Sequence, residues 1–376
     1  MAAVSSHPIA GVTPSEVVTP ASAGEVADVL RSTTGTVVPV GAGTKTGWAA
    51  PPTSCDLLLR TTELNRIVEH VPGDLVVVAE AGVPLETLQA RLAEHNQMLA
   101  LDPPEPGATL GGIVGANASG PRRLRYGTVR DLLIGVTVVL ADGTTARSGG
   151  KVVKNVAGYD LGKLYTGAHG ALGVLVSTTW RLHPLPAAAG TVTVPVADAA
   201  EAGRLASLLV RSTLTPTAVE LRWDGGAGEL VVLFESIPAS VDAQSAAAVE
   251  LLGPGERGTE PPPWFGERPT GGVVLRLAYE PHALPRVLAA LPAEASGTAS
   301  AGTGVAYMAV PADTDLAALR AAIASYDGSA VVLDRPADAD IDHWGPVPDS
   351  FGLMTRVKDQ FDPGRRLSPG RLLGGL

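Results

Sequence analysis

Apolar positions in the first half of the chain fall into short runs of alternating period, which predicts strands and helices in turn. Glu16–Thr19 is predicted as a strand closed by Pro20, and Ala21–Thr33 carries Val26, Val29 and Leu30 at helical spacing. Thr36–Val40 is a second strand running straight into glycines. Asp56–Arg60 and Arg66–His70 read as strands around the polar turn 61–65. Asp74–Ala81 holds the unbroken Leu-Val-Val-Val-Ala run of a strand buried on both faces. Pro84 then suits the first position of a helix whose inner stripe is Leu85, Leu88 and Leu92, ending near Asn96. Leu132–Leu140 followed by Asp142-Gly143 reads as a strand entering a hairpin.

Near residue 187 the texture changes. Pro184–Gly190 reads as a linker. Beyond it come strand 191–196, helix 199–212, strands 218–223 and 229–235, and helix 241–252. After the proline- and glycine-rich stretch 254–271 the order is strand 273–278, helix 281–291, strand 304–310, helix 315–325 and strand 330–333. A helix over 354–361 precedes a proline/glycine-rich tail. The pattern predicts an α+β protein: an interleaved domain over 1–186, an antiparallel α+β cap over 187–335, and a C-terminal segment 336–376. The length of 376 residues suits two cores better than one.

Charge narrows the partners. With 28 Lys+Arg against 38 Asp+Glu the net charge is −10, which argues against nucleic acid or an anionic membrane surface. The single cysteine, Cys55, excludes a disulfide framework and an iron–sulfur cluster held by this chain's own thiolates. Neither a basic-then-apolar leader nor a run of about 20 apolar residues is visible, so a cytoplasmic protein is expected, reaching a membrane only through partners.

Three glycine-rich segments carry the chemistry. The first, Pro39–Lys45, follows a strand and mimics a loosened dinucleotide fingerprint through Gly41, Gly43 and Gly47. The nicotinamide-binding fold needs a helix starting among those glycines. Thr46–Pro52 is a poor helix, and no acidic residue ends a clear second strand, so that reading fails. In isolation the loop also reads as a plain turn. The second, Pro106–Gly120, is rich in small residues, and Thr109 is placed to cap a short helix. Two readings stand for it, a ligand lying on bare backbone or tight helix packing. Arg122, Arg123 and Arg125 follow, a basic knot that suits phosphate, an acidic substrate or plain solvent. The third runs through Lys151, Lys154, Asn155, Tyr159 and Asp160 to the turn Gly167–Gly173, which enters a buried strand. Backbone N–H and C=O groups there can edge a flat heterocycle. Glycine lets backbone approach a ligand and lets successive amides converge on an anion, so two loops suggest a long anion gripped from two sides.

In this order, the segments resemble the vanillyl-alcohol oxidase, or PCMH-type, FAD-binding flavoproteins. Within that class they are most similar to the E-subunit family of bacterial glycolate oxidases, relatives of the D-lactate dehydrogenase flavoproteins. The resemblance rests on Gly41–Lys45, Pro106–Gly120, Ser119–Arg123, Val129–Asp131, Lys151–Leu161, Gly167–Gly173 and Phe361–Arg371, and it covers nearly the whole chain. It implies a two-subdomain FAD-binding domain, a middle domain capping the flavin, and a tail returning to the FAD domain. It assigns cofactor contacts to Pro39, Val40, Gly41, Ala42, Gly43, Thr44 and Lys45. In the second loop it adds Pro106, Gly107, Ala108, Thr109, Gly111, Gly112, Gly115, Asn117 and Gly120, and in the third Gly167, Gly173 and Val174. Many members carry a histidine in the first loop that bonds the flavin. This chain has none there, so FAD is expected to be non-covalent.

The resemblance implies an FAD-dependent oxidoreductase subunit of a glycolate or D-2-hydroxy-acid oxidising complex. Electrons would leave through a catalytic flavoprotein partner and an iron–sulfur subunit. Arg122, Arg123 and Lys154 are the candidates for holding the substrate carboxylate. No catalytic base is identified: His282 and His343 are isolated, and Asp338–His343 reads as an acidic loop, so no metal site is expected. The alternative is an FAD-binding electron-transfer or scaffolding subunit without substrate oxidation of its own. A nucleotide-sugar reductase on the same fold would need NADPH and a serine or glutamate proton donor that the sequence does not reveal.

Overall fold

Ser22 opens the first helix, α1 (Ala23–Ser32). Its hydroxyl accepts from the Glu25 N–H at 3.2 Å, and the Glu25 carboxylate accepts from the Ala21 N–H at 2.9 Å. This reciprocal capping satisfies amides that a first turn leaves open. Val26, Ala27 and Leu30 make the buried stripe. The computed structural model describes residues 8–150, 160–337 and 339–376, and among these the chain divides into two units. The first comprises residues up to Ser119, Thr128–Leu185 and Pro346–Leu376; the second comprises Gly120–Gly127 and Pro186–Gly345.

In the first unit α1 packs on a parallel sheet of β1 (Glu16–Val18), β2 (Val37–Val40) and β3 (Leu57–Arg60), in the order β1-β3-β2. An antiparallel sheet follows, of β4 (Ile67–Val71), β5 (Val76–Glu80), β6 (Leu133–Val139), β7 (Thr145–Gly149) and β8 (Val174–Arg181), in the order β4-β5-β8-β6-β7. On β8 Val174, Val176, Thr178 and Trp180 are buried and the residues between them are partly exposed, the alternation of a strand with one covered face. The helix α2 (Leu85–Ala93) buries Leu88 and Leu92. Pro84 is its N-cap residue and not its first helical residue, because ψ of 140° keeps it extended. The small-residue segment forms α3 (Leu110–Ala116).

Among the described residues the second unit is an antiparallel sheet covered on one face by four helices, with a further one-turn helix at Arg123–Tyr126. Its strands are β9 (Ala188–Val196), β10 (Ala218–Asp224), β11 (Ala227–Ser236), β12 (Glu256–Gly258), β13 (Val273–Ala278), β14 (Ser296–Ser300), β15 (Val305–Val310) and β16 (Ser329–Asp334), in the order β12-β9-β11-β10-β14-β15-β13-β16. The helices α4 (Ala199–Arg211), α5 (Pro238–Leu252), α6 (Leu284–Ala290) and α7 (Leu316–Ala324) close one core with Leu221, Ala299, Met308 and Leu275 from the strands. The alternate strand residues therefore point away from that core. β14 was not visible in the sequence, because Ser-Gly-Thr-Ala-Ser has no apolar run. β9 also starts inside the expected linker, at Ala188.

The chain closes within the first unit. The helix α8 (Phe351–Phe361) leads to a tail in which the Val37 N–H donates to Arg366 O and the Ser368 N–H donates to Val37 O.

Candidate functional site

The three glycine segments meet in the first unit. β2 delivers the first, Gly41–Lys45. The second is pinned beside it by the Leu85 N–H donating to Ala108 O (2.9 Å), the Leu110 N–H to Val83 O (2.9 Å) and the Gly111 N–H to Ala81 O (2.7 Å). Thr109 caps α3, its hydroxyl accepting from the Gly112 N–H at 3.3 Å. The third segment runs along α3, where the Gly167 N–H donates to Val114 O and the His169 N–H to Gly115 O, both at 2.9 Å.

Glycine is required where these loops touch. A Cβ on Gly41 would lie 2.1 Å from Thr109 Oγ1, and one on Gly170 would lie 2.4 Å from Pro39 Cγ, with φ at +77° besides. At Gly115 a Cβ would meet nothing within 4 Å. There the missing side chain leaves bare backbone on open space.

The space between these segments is a cleft with an empty volume of about 740 Å³, part of it open solvent. Of the expected cofactor residues, all seven of the first loop line it, as do Thr109, Gly111, Gly112 and Gly115 of the second and Gly173 and Val174 of the third. Pro106, Gly107, Ala108, Asn117 and Gly167 are outside its lining, and Gly120 belongs to the second unit. His169, Gly170 and Arg371 line it although the sequence reading did not assign them. Among the described residues Lys45 and Arg371 are its permanent charges, and no carboxylate lines it. Lys45 is 7% exposed, and its ammonium donates to Thr44 Oγ1 at 2.9 Å. Burial lowers the Arg371 guanidinium to about 10, which leaves it a cation at neutral pH. Bare backbone, two cations and no acid fit a cofactor whose charge is a pyrophosphate.

Two of the three candidates for a substrate carboxylate are described. Arg122 is taken by Glu235 through a two-pronged ion pair, Nε–Oε2 3.1 Å and Nη2–Oε1 2.7 Å, inside the second unit. Lys154, with Lys151, Asn155 and Tyr159, lies outside the described residues. Arg123, at the start of the one-turn helix Arg123–Tyr126, joins a group on the face of the second unit's sheet turned away from the helical core. On that face Thr298 on β14 pairs with Tyr307 on β15, which pairs with Arg276 on β13. The Arg268 guanidinium lies 3.5 Å from the Tyr307 ring centre, a cation–π stack. Pro121 packs on Gly266 and Leu124 on Gly302, which brings Arg123 to the same place. Burial pushes the Tyr307 phenol up, but the charges of Arg268, Arg123 and Arg276 outweigh it and hold the phenol below its ordinary value. Burial chiefly, then Arg123 and Arg268, lower Arg276 against the opposing pull of Tyr307. One row away on this face the Ser300 hydroxyl donates to the buried Glu220 carboxylate at 2.6 Å.

His282 is exposed beside Glu280 (3.1 Å), and His343 is buried with its carbonyl accepting from the Val332 N–H at 2.8 Å. Among the described residues no group of three or more His, Cys, Asp or Glu is arranged to hold a metal, and no helix is long and apolar enough to cross a membrane.

Comparison with known proteins gives this cleft its context. Residues 14–149 match the family described as "FAD binding domain". The chain is 44% identical over 124 residues to glycolate oxidase subunit GlcE of Escherichia coli, covering 32% of this chain and 35% of that protein. It is 30% identical over 250 residues to glycolate oxidase subunit GlcD of Bacillus subtilis, covering 65% and 52%. To D-lactate dehydrogenase of Archaeoglobus fulgidus it is 31% identical over 262 residues, covering 62% and 58%. The chain thus spans between about a third and three fifths of the length of these relatives. A solved alkyldihydroxyacetonephosphate synthase superposes with TM-score 0.71 at 14% identity over 95% of this chain and 77% of that one, a likeness of fold. FAD, held non-covalently, is the cofactor that goes with this domain. The first two glycine segments fall within the region that matches an FAD-binding domain, and the chain as a whole shares the fold of that synthase.

Proposed function

We propose that the chain is the FAD-dependent oxidoreductase subunit of a glycolate or D-2-hydroxy-acid oxidising complex that passes electrons to a partner. The observation that carries the reading is the convergence of the three glycine segments on one cleft that, among the described residues, holds two cations and no acid. The resemblance to glycolate oxidase subunits and a D-lactate dehydrogenase supports the substrate class. Bound FAD supplies the two-electron acceptor. The residues of the first loop and α3 hold it, with Lys45 at its pyrophosphate. In the second unit Arg276, Arg268 and Arg123 hold a carboxylate against Tyr307, since guanidinium forks match carboxylate geometry. Glu220, buried and already accepting from Ser300, is the proton acceptor that face offers for a substrate hydroxyl. We infer that the chain works in the cytoplasm, beside a catalytic flavoprotein and an iron–sulfur subunit.

One observation favours a second reading, a subunit that binds FAD without oxidising substrate: Arg122, the first candidate for the carboxylate, is committed to Glu235. A visible spectrum of the purified chain, followed by anaerobic titration with glycolate and D-lactate, decides. Bleaching of the flavin by either acid supports the first reading. A flavin left oxidised by both, with partner subunits present, overturns it. Acid precipitation should release the yellow chromophore into the supernatant.

A further inference from the structure

The C-terminal tail enters the cleft through one side chain, Arg371, and everything upstream in the tail fixes where that side chain stands. The Lys358 ammonium on α8 is buried and donates to Ala171 O (2.7 Å), Leu367 O (2.8 Å) and Asp362 Oδ2 (2.7 Å). Asp362 accepts in turn from the Leu367 N–H at 2.7 Å. The Arg366 guanidinium closes the end of α1, donating to Leu30 O (2.9 Å), Thr33 O and Ala141 O (2.7 Å). The Ser368 hydroxyl donates to His169 O at 2.9 Å, in the third glycine segment. Pro369 O accepts from the Thr53 N–H at 2.9 Å. Arg371 follows, 4% exposed, with Nη2 donating to Thr46 O at 2.8 Å, one residue past the first loop.

We propose that Arg371 is a cofactor ligand, a guanidinium delivered from the far end of the chain to the FAD pyrophosphate. It lines the cleft, where Lys45 is the other permanent charge among the described residues. The pyrophosphate is the charged part of FAD, so a cation built into this wall meets it and not the rings. The tail's bonds to α1, β2 and the third segment hold this guanidinium in register at the cleft wall. Arg371 acts by binding, whereas Lys358 and Ser368 are positioning residues that act through the tail. The inference rests on the FAD reading of the cleft and is independent of the substrate.

The test is titration of flavin-free full-length chain with FAD and with riboflavin, which lacks the pyrophosphate, followed by flavin fluorescence at two salt concentrations. Arg371→Gln keeps a donor for Thr46 O and removes the charge. It should weaken FAD about 10- to 100-fold, the range of hydrogen bonds to charged groups, with riboflavin unchanged and a shallower salt dependence for FAD. Arg371→Lys keeps the charge but loses the fork, and should show a smaller loss with the same FAD-over-riboflavin split. That variant reads the split if the glutamine chain does not fold. FAD affinity equal to wild type in both variants overturns the proposal, as does equal loss of FAD and riboflavin, which would mark Arg371 as support for the loop alone. A wild-type chain that binds no FAD would remove the FAD reading itself and the proposal with it.

Discussion

The cleft of the first unit is made of backbone, and the polar sheet face of the second is made of side chains. In the cleft, Gly41, Gly43 and Gly115 present bare backbone, and among the described residues charge comes from Lys45 and Arg371. On the sheet face Arg123, Arg268, Arg276, Tyr307 and Glu220 come from five separate stretches of chain, and no local pattern ties them together. A backbone site depends on where atoms are absent; a side-chain site depends on which charges are present. The two should therefore fail differently under substitution.

The largest expected effect is on turnover. Glu220→Gln removes a buried proton acceptor and should slow flavin reduction by glycolate about 10²- to 10⁴-fold, with KM and FAD content unchanged. An unaltered reduction rate in stopped-flow would take Glu220 out of the reaction. The opposite failure comes from Gly41→Val, whose Cβ would stand 2.1 Å from Thr109 Oγ1 and must push the two loops apart. Overpacking of this kind costs up to about 3 kcal/mol, so FAD affinity should fall about 10²-fold. Far-UV dichroism should stay native while the flavin is lost, and wild-type FAD affinity would show that the loops do not form the wall. Arg276→Met should raise KM for glycolate about 10- to 100-fold with FAD affinity untouched, because it removes a charged donor from the sheet face alone. A joint loss of FAD and substrate would erase the distinction between the two regions.

The same difference explains what the sequence disclosed. Gly41, Thr109, Gly115 and Gly173 were legible because glycine and small-residue spacing is itself the physical requirement for close backbone approach. The strands β5 and β13 were legible from their apolar runs, and the four helices of the second unit from their stripes. β14 was hidden because its inward residues are glycine and alanine and its outward ones are serine and threonine. Arg276 and Tyr307 were hidden for a related reason. Each sits at an alternate position of a strand whose other residues are core, where a single polar residue reads as an ordinary outward-facing one. Their partnership exists only through the β13–β15 register. Arg371 stood in plain view in the tail used for the resemblance, but nothing local says that a residue over 300 positions from the first loop returns to it. Arg122 misled, because a run of arginines does not show which of them a distant glutamate will take.

The smallest effect separates the two units by pH. Tyr165, in the first unit, is buried against Phe361 with ring centres 6.0 Å apart, and its hydroxyl has no hydrogen-bond partner among the described residues. Burial pushes its phenol up to about 12 from 10.0. A raised folded-state value means the neutral phenol is favoured in the fold. Its stabilisation is fully present below pH 10 and is lost as pH rises from 10 toward 12, because the unfolded chain releases that proton first. The shift corresponds to about 1–3 kcal/mol. Tyr307 has the opposite sign, since its folded value lies below the ordinary one; its ionised form is favoured, so it does not add to this loss. Tyr165→Phe removes both the titration and the unpartnered hydroxyl. The variant should match or slightly exceed wild type in denaturant midpoint at pH 8, and the gap in its favour should widen between pH 10 and 12, read by FAD release as well as by dichroism. Parallel pH profiles for the two chains would show that alkaline loss of the flavin does not begin at Tyr165.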